Sequence, residues 1–159
     1  MFETDTQNVS LIACEESDMP EELNILEFPK GEGETILVVE DEEMLRDFLQ
    51  AVLGENGYKV VLASDGTEAV RKFAEHMEGI DLVLLDMGLP GLSGEEVLSM
   101  ILALKSRVKV IAVSGSIEPE VQSVALETGA ADYLSKPYLS GELLLRVYDT
   151  LHSKIRLDS

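Results

Sequence analysis

From Thr35 onward the chain alternates short, almost wholly apolar runs with longer stretches whose apolar residues recur every three or four positions. Runs of the first kind predict strands, and the three-to-four spacing predicts helices that bury one stripe. Five such cycles follow one another. The strand candidates are Thr35–Val39, Tyr58–Ala63, Asp81–Leu85, Val108–Val113 and Asp132–Leu134. Within them ILVV, LVLL and VIAV contain no polar residue, which predicts interior strands covered on both faces. Between the strands, Met44, Leu45, Phe48, Leu49, Val52 and Leu53 form one stripe, and Ala69, Val70, Phe73, Ala74 and Met77 another. A regular βα alternation of this kind predicts an α/β, doubly wound fold: a parallel five-stranded sheet with helices on both faces.

Local signals set the element ends. Asp65-Gly-Thr-Glu68 and Ser93-Gly-Glu-Glu96 have the form of helix-starting capping boxes, and Ser140 before Glu142 predicts a third start. Gly54, Gly57 and Gly129 suit helix exits. The stretch Glu118–Thr128 has the weakest stripe.

The first 33 residues break the pattern. They carry two short apolar patches, Val9–Cys14 and Leu23–Phe28, separated by acids and Pro20, and close on Pro29-Lys-Gly-Glu-Gly. That is linker chemistry, although either patch could dock on the domain as a strand or half-turn. Gly31-x-Gly33 precedes a strand and lacks a following Lys-Ser/Thr, so it is neither a dinucleotide fingerprint nor a P-loop. The expected organisation is an acidic leader over 1–33, one domain over 34–155 and a tail over 156–159.

Charge sharpens that division. Of the net −19, residues 1–34 hold 10 acids against Lys30 alone, and the remaining residues hold 21 against 11 bases. With no Lys/Arg cluster to displace phosphate counterions, no nucleic-acid binding is expected. No apolar run of ~18 residues and no signal-peptide pattern occurs, so no membrane insertion and a soluble, cytoplasmic protein are expected. The single cysteine, Cys14, excludes an internal disulfide and a cysteine-built metal cluster.

In an open parallel sheet ligands bind beyond the carboxyl ends of the strands, where the strand order reverses. The residues at those ends are Glu40-Asp41, Asp86, Ser114 and Ser135-Lys136. Acids gathered there would repel one another unless a cation lay among them, and all-oxygen ligation suits Mg²⁺, with Mn²⁺ as the alternative. An aspartate is also a competent nucleophile toward phosphorus, and a hydroxyl and an ammonium are groups that neutralise phosphoryl oxygens. Taken singly, Asp41 could be only a helix cap, Ser114 the start of a turn and Tyr133 ordinary packing. His76 and His152 fall in helical stretches and read as solvated.

At these residues the chain resembles the receiver (response-regulator) family of two-component signalling. The resemblance rests on VVEDEE after the first strand, LVLLDMGLPGLSGEE around the third, AVSGS after the fourth and ADYLSKPY around the fifth. It implies a flavodoxin-like (βα)5 fold with strand order 2-1-3-4-5. It implies Asp86 as phosphoacceptor, with Glu40, Asp41, Asp86 and the backbone carbonyl of Gly88 as metal ligands. Ser114 is then the switch hydroxyl, Tyr133 an aromatic that changes rotamer on activation, and Lys136 the phosphate contact, preceding a cis Lys136-Pro137 bond. Glu40 and Ser114 stand where Asp and Thr are commoner, and Gly88 has no side chain to touch the phosphoryl group.

The implied donor is a histidine kinase or phosphotransfer protein, and the implied output is a downstream protein bound through the face of the fourth helix, fifth strand and fifth helix; a homodimer stays open. On this reading the chain is not an enzyme beyond self-catalysed phosphoryl acceptance and hydrolysis. Nothing after Ser159 is expected to provide an output domain, which leaves a free-standing receiver or the C-terminal receiver of a hybrid histidine kinase. A metal-dependent aspartyl phosphohydrolase and a phosphate-independent pseudo-receiver are the alternatives. The first is disfavoured because such phosphatases carry a second acid where Gly88 stands.

Overall fold

The computed structural model describes residues 28–153; the Val9–Cys14 patch, all of the Leu23–Phe28 patch except Phe28, and the tail lie outside them. Five strands form one parallel sheet: β1 Thr35–Val39, β2 Lys59–Ala63, β3 Leu82–Asp86, β4 Lys109–Ser114 and β5 Asp132–Ser135, in the order β2-β1-β3-β4-β5. The helices between and after them are α1 Glu43–Glu55, α2 Gly66–His76, α3 Gly94–Leu104, α4 Pro119–Thr128 and α5 Ser140–His152, with a 3₁₀ turn at Met77–Gly79. This is the expected doubly wound α/β fold with order 2-1-3-4-5.

Alternate residues of each strand divide the interior in two. Leu37, Val39, Val83, Leu85, Val110, Ala112 and Tyr133 face one cluster, with Ala69 and Phe73 of α2, Val97, Leu98 and Ile101 of α3, and Ala125 of α4. Ile36, Val38, Leu82, Leu84, Ile111, Val113 and Leu134 face the other, with Leu49 and Leu53 of α1 and Leu143, Leu144 and Val147 of α5. Period-two alternation explains both lists: successive side chains leave a strand on opposite faces, and here both faces are covered. Each fully buried aliphatic contributes roughly 1.5–3 kcal/mol of transfer free energy.

Several predicted details shift. Asp81 falls outside β3, because its amide donates to Thr35 O and its carboxylate accepts the Thr35 N–H. Asp86 instead lies inside the ladder, opposite Val113. Met44 is 86% exposed and Ala74 also faces solvent, so the two helical stripes are narrower than the sequence suggests. Ser93 and Glu96 form the full capping box, whereas Asp65 caps Glu68 N–H while the Glu68 carboxylate turns to Ser64 N–H. Ser140 is the first residue of α5 and caps nothing; extended Leu139 precedes it without a side-chain cap. Gly54 stays helical, and the exits are made by Asn56 followed by Gly57 (φ +95°) and by Gly129 (φ +132°).

The strap before β1 is also ordered against the domain. Gly31 and Gly33 amides donate to Asn56 O and Gly57 O, and Phe28 packs with the cluster beneath α1 and α5.

Gly94 ties α3 to the end of β3. A Cβ there would run into Met87 Cα and sit 2.9 Å from Asp86 O, both backbone atoms that cannot rotate away. Gly94→Ala is therefore expected to cost about 1–3 kcal/mol in urea unfolding, as overpacking does. Gly79→Ala, where a Cβ meets nothing within 4 Å, should stay within about 0.5 kcal/mol of wild type. Equal losses at the two positions would contradict the contact argument.

Candidate functional site

The strand order reverses between β1 and β3, whose carboxyl ends lie side by side. Glu40 follows β1, Asp86 ends β3, and Lys136 follows β5 across the intervening end of β4. One carboxylate oxygen from each of Glu40, Asp41 and Asp86 lies within 4.8 Å of the others. Lys136 Nζ reaches into the group, 3.1 Å from Glu40 Oε1 and 3.1 Å from Asp86 Oδ2. Glu40 and Asp86 are buried and Asp41 is exposed, so the cluster has one open side.

Local hydrogen bonds fix each member. Glu40 Oε2 accepts the Glu42 N–H at 3.1 Å, and Asp86 Oδ1 accepts the Gly88 N–H at 2.8 Å. Arg46, in the first turn of α1, donates to Glu40 O (2.8 Å) and Asp41 O (3.1 Å), which holds the acid-bearing loop from behind. Asp41 is not the cap of α1: the N-cap is Glu42, and its side chain makes no capping bond. Ser114 is buried at the end of β4, and its Oγ accepts the Ser116 N–H at 3.0 Å. Its backbone carbonyl accepts the Lys136 N–H at 2.8 Å, tying the hydroxyl-bearing and lysine-bearing strand ends together. The Lys136-Pro137 peptide is cis.

The electrostatics are those of an unbalanced cluster. Carboxylates within 4.8 Å repel by roughly 3–4 kcal/mol per pair at an effective dielectric near 20. With all three ionised, one ammonium leaves two negative charges in excess. Burial pushes the Glu40 carboxyl above its usual range, and the Asp86 charge adds to that push, against the Glu42 N–H and Lys136. Burial alone would lower the Lys136 ammonium, but Asp86 and Glu40 outweigh it and its pKa is raised. An excess of two negative charges on oxygen donors, open on one side, fits a hard divalent cation.

The structure thus brings together Glu40, Asp41, Asp86 and Lys136, with Gly88 and Ser114 adjoining. Tyr133 stands apart, on β5 inside the α2–α3–α4 cluster and opposite Ala112. Two contributors went unread in the sequence. Arg46 looks like an ordinary surface base of α1, and its reach back to the carbonyls at i−5 and i−6 has no sequence signature. Tyr138 is buried, its phenol pushed up by burial and by the Glu40 and Asp86 charges; the only signal for it is its place just after Lys136-Pro137.

Comparison with known proteins agrees with this geometry. Residues 36–148 match the response regulator receiver domain. The chain belongs to that family. It is 41% identical over 113 residues to the sensory transduction protein RegX3 of Mycolicibacterium smegmatis, covering 71% of this chain and 48% of that protein. To the phosphate regulon transcriptional regulatory protein PhoB of Klebsiella pneumoniae it is 39% identical over 114 residues, covering 70% and 49%. The chain therefore spans about half the length of these relatives. Among solved structures, a receiver domain protein from Clostridium thermocellum superposes with TM-score 0.71 at 31% identity, covering 74% of this chain and 94% of that one. The CheX–CheY–BeF3–Mg²⁺ complex from Borrelia burgdorferi gives 0.72 at 29%, covering 76% and 90%. The chain is a receiver domain of two-component signalling, and its strand-end acids lie where the fold places ligands.

The raised Glu40 pKa sets a pH dependence. A carboxyl whose folded pKa exceeds its unfolded value of 4.5 favours folding when protonated. That contribution is present below 4.5 and is lost as pH rises through the raised folded value. Glu40→Gln, which mimics the protonated form, should therefore raise the metal-free receiver's stability at pH 7, with the gain shrinking as pH falls toward 4.5. Urea midpoints across that range, at constant chelator, would show it; a loss of stability at pH 7 would contradict it.

Proposed function

We propose that Asp86 is the phosphoacceptor of this receiver and that Glu40, Asp41, Asp86 and the Gly88 carbonyl hold a Mg²⁺ ion beside it, Mn²⁺ being an alternative. The observation that carries this is the convergence of three carboxylates at one strand-order reversal, two of them, Glu40 and Asp86, paired with Lys136 Nζ. Its two excess negative charges suit a divalent ion, and the solved BeF3–Mg²⁺ complex of a neighbouring fold supports the same chemistry. When bound, the ion would supply Lewis-acid neutralisation of phosphoryl oxygens.

This chain's own groups do the remainder. A carboxylate oxygen of Asp86 attacks phosphorus, the bond to the donor's histidine nitrogen breaks, and an acyl phosphate forms. The Gly88 N–H on Asp86 Oδ1 orients the carboxylate. Lys136, already 3.1 Å from Asp86 Oδ2, neutralises incoming phosphoryl charge, and the Ser114 O–H donates to one phosphoryl oxygen. Adding roughly −1.5 to −2 charges would then draw the end of β4 inward, let Tyr133 change rotamer and reshape the α4–β5–α5 face. To move from 1:99 to 99:1 the phosphoryl group must favour the active form by about 5.5 kcal/mol.

Partners follow from the chemistry. A histidine kinase or phosphotransfer protein supplies the group, and a downstream protein or a second receiver reads α4–β5–α5, where Val124, Leu126 and Leu145 are exposed. The setting proposed is cytoplasmic; among the described residues no helix is long and apolar enough to cross a membrane. The charge argument against nucleic acid concerns this chain alone. PhoB is by name a transcriptional regulatory protein about half of which this chain matches, so the argument does not extend to a longer protein. Turnover as a phosphohydrolase is disfavoured, since at Gly88 no side chain stands beside Asp86 to act as a second acid.

Incubation with acetyl phosphate and Mg²⁺ should add one phosphoryl group, an increase of about 80 Da by intact-mass spectrometry. Asp86→Asn should abolish it, and an adduct that survives this substitution would sink the assignment. Mg²⁺ at 100 times its Kd should stabilise the wild type by about 2.7 kcal/mol. In Asp86→Asn that gain should fall to a fraction, read from thermal midpoints, whereas an equal gain would place the ion elsewhere.

A further inference from the structure

The ladder of β1 ends at Val39, paired with Ala63, and α1 begins at Glu43. The residues between them carry two of the site's carboxylates, and two of their backbone carbonyls belong to neither element. Glu42 O accepts the Arg46 N–H as part of the start of α1, but among the described residues no backbone N–H donates to Glu40 O or Asp41 O. One side-chain nitrogen serves both: Arg46 Nη1 lies 2.8 Å from Glu40 O and 3.1 Å from Asp41 O. This is not the ordinary reach of a base in a first helical turn. Glu42 and Glu43 stand four and three residues before Arg46, the spacing at which surface pairs form. Among the described residues both hydrogen bonds of the guanidinium nevertheless go to the two carbonyls.

The three acids are held unequally. Asp86 lies in the β3 ladder with Oδ1 on the Gly88 N–H, Glu40 has Oε2 on the Glu42 N–H, and both pair with Lys136. Asp41 is exposed, and among the described residues its hold comes through the backbone, at the carbonyl that Arg46 bonds. Where the Asp41 carboxylate stands therefore depends on Arg46. Mg²⁺ demands near-octahedral ligands at about 2.0–2.1 Å, whereas Ca²⁺ accepts about 2.3–2.6 Å in a flexible geometry. A small displacement of Asp41 thus costs the smaller ion more than the larger. By charge alone the guanidinium would repel either cation, so its hold on the loop and its charge act in opposite directions.

We propose that Arg46 is a positioning residue of the metal site: by bridging the carbonyls of Glu40 and Asp41 it fixes the spacing of their carboxylates and makes the site select Mg²⁺ over Ca²⁺. It acts through the loop and not through contact with the ion. The proposal rests on the reading of Glu40, Asp41 and Asp86 as metal ligands.

The test titrates Mg²⁺ and, separately, Ca²⁺ into the full chain, read from the amide shifts of Met87 and Gly88, in wild type, Arg46→Lys, Arg46→Met and Asp86→Asn. Arg46→Lys keeps the charge but loses the planar fork, and Arg46→Met keeps only an uncharged stem. Both should raise the Mg²⁺ Kd about tenfold or more, the range for groups that hold metal ligands from behind being ~10–100-fold. The Ca²⁺ Kd should move by less than about threefold. Without metal, the heteronuclear NOE of the Asp41 and Glu42 amides should fall in both variants while that of Asp86 keeps its wild-type value. Tighter Mg²⁺ binding in Arg46→Met would show that Arg46 supplies charge and not position, and would overturn the proposal; equal weakening of both ions would do the same. Should Arg46→Met unfold, Arg46→Lys carries the test alone. Mg²⁺ binding that Asp86→Asn weakens and neither Arg46 variant changes would overturn this proposal alone. Binding that Asp86→Asn leaves unchanged would overturn the metal-site reading and this proposal with it.

Discussion

The function proposed for this chain rests on a charge imbalance held at the reversal of strand order. Two strands leaving β1 in opposite directions across the sheet create a crevice at the β1 and β3 tips, and the residues there are acids. Burial favours the uncharged form of the Glu40 carboxyl and raises its pKa. Lys136 opposes that by offering each of two carboxylates a direct ion pair, yet one ammonium cannot balance three acids. The site is left attractive to a divalent cation and, through the same lysine, to an incoming anion.

How the rest of the fold serves this crevice was legible where burial is two-sided. The runs ILVV, LVLL and VIAV fixed the three interior strands because nothing polar could occupy either face. Strand bounds were less legible in interior and edge strands alike: β3 and β4 each lie one residue later than expected, β2 starts a residue later and β5 ends a residue later. Met44 and Ala74 were misassigned as well. Helical periodicity reports which residues could share a face, whereas the sheet decides how wide that face is. The weak stripe of α4 reflects a real feature, since Ala125 is its only fully buried residue.

The site was legible to the extent that its groups come from strand ends. Glu40, Asp41, Asp86, Ser114 and Lys136 each follow or close an apolar run, so the fold alone brings them to one edge. Arg46 was not legible because it acts on backbone carbonyls, which carry no residue-specific signal. The strap at Phe28–Gly33 was read as linker because glycine, lysine and proline are linker residues. The structure instead uses the missing side chain of Gly31 for close approach to the Tyr58 ring. Composition cannot separate a glycine chosen for freedom from one chosen for lack of bulk.

The hydrogen bonding also decides which way a charge added at Asp86 would propagate. On one side the backbone is backed by α3, where Gly94 packs against Asp86 and Met87 and the Ser93–Glu96 box closes the helix start, leaving no space for movement. On the other side the β4–α4 connection is held by side chains: Ser114 Oγ accepts from Ser116 N–H and Ser116 Oγ from Glu118 N–H, with Ile117 almost wholly exposed between them. A hydroxyl that both donates to a phosphoryl oxygen and accepts from Ser116 would pull that segment as it turned. The Lys136 N–H on Ser114 O would couple β5 to the same displacement. The stiff side and the yielding side are thus set by the fold itself, so on the proposed reading a charge added at Asp86 would be passed toward α4 and β5 and not toward α3.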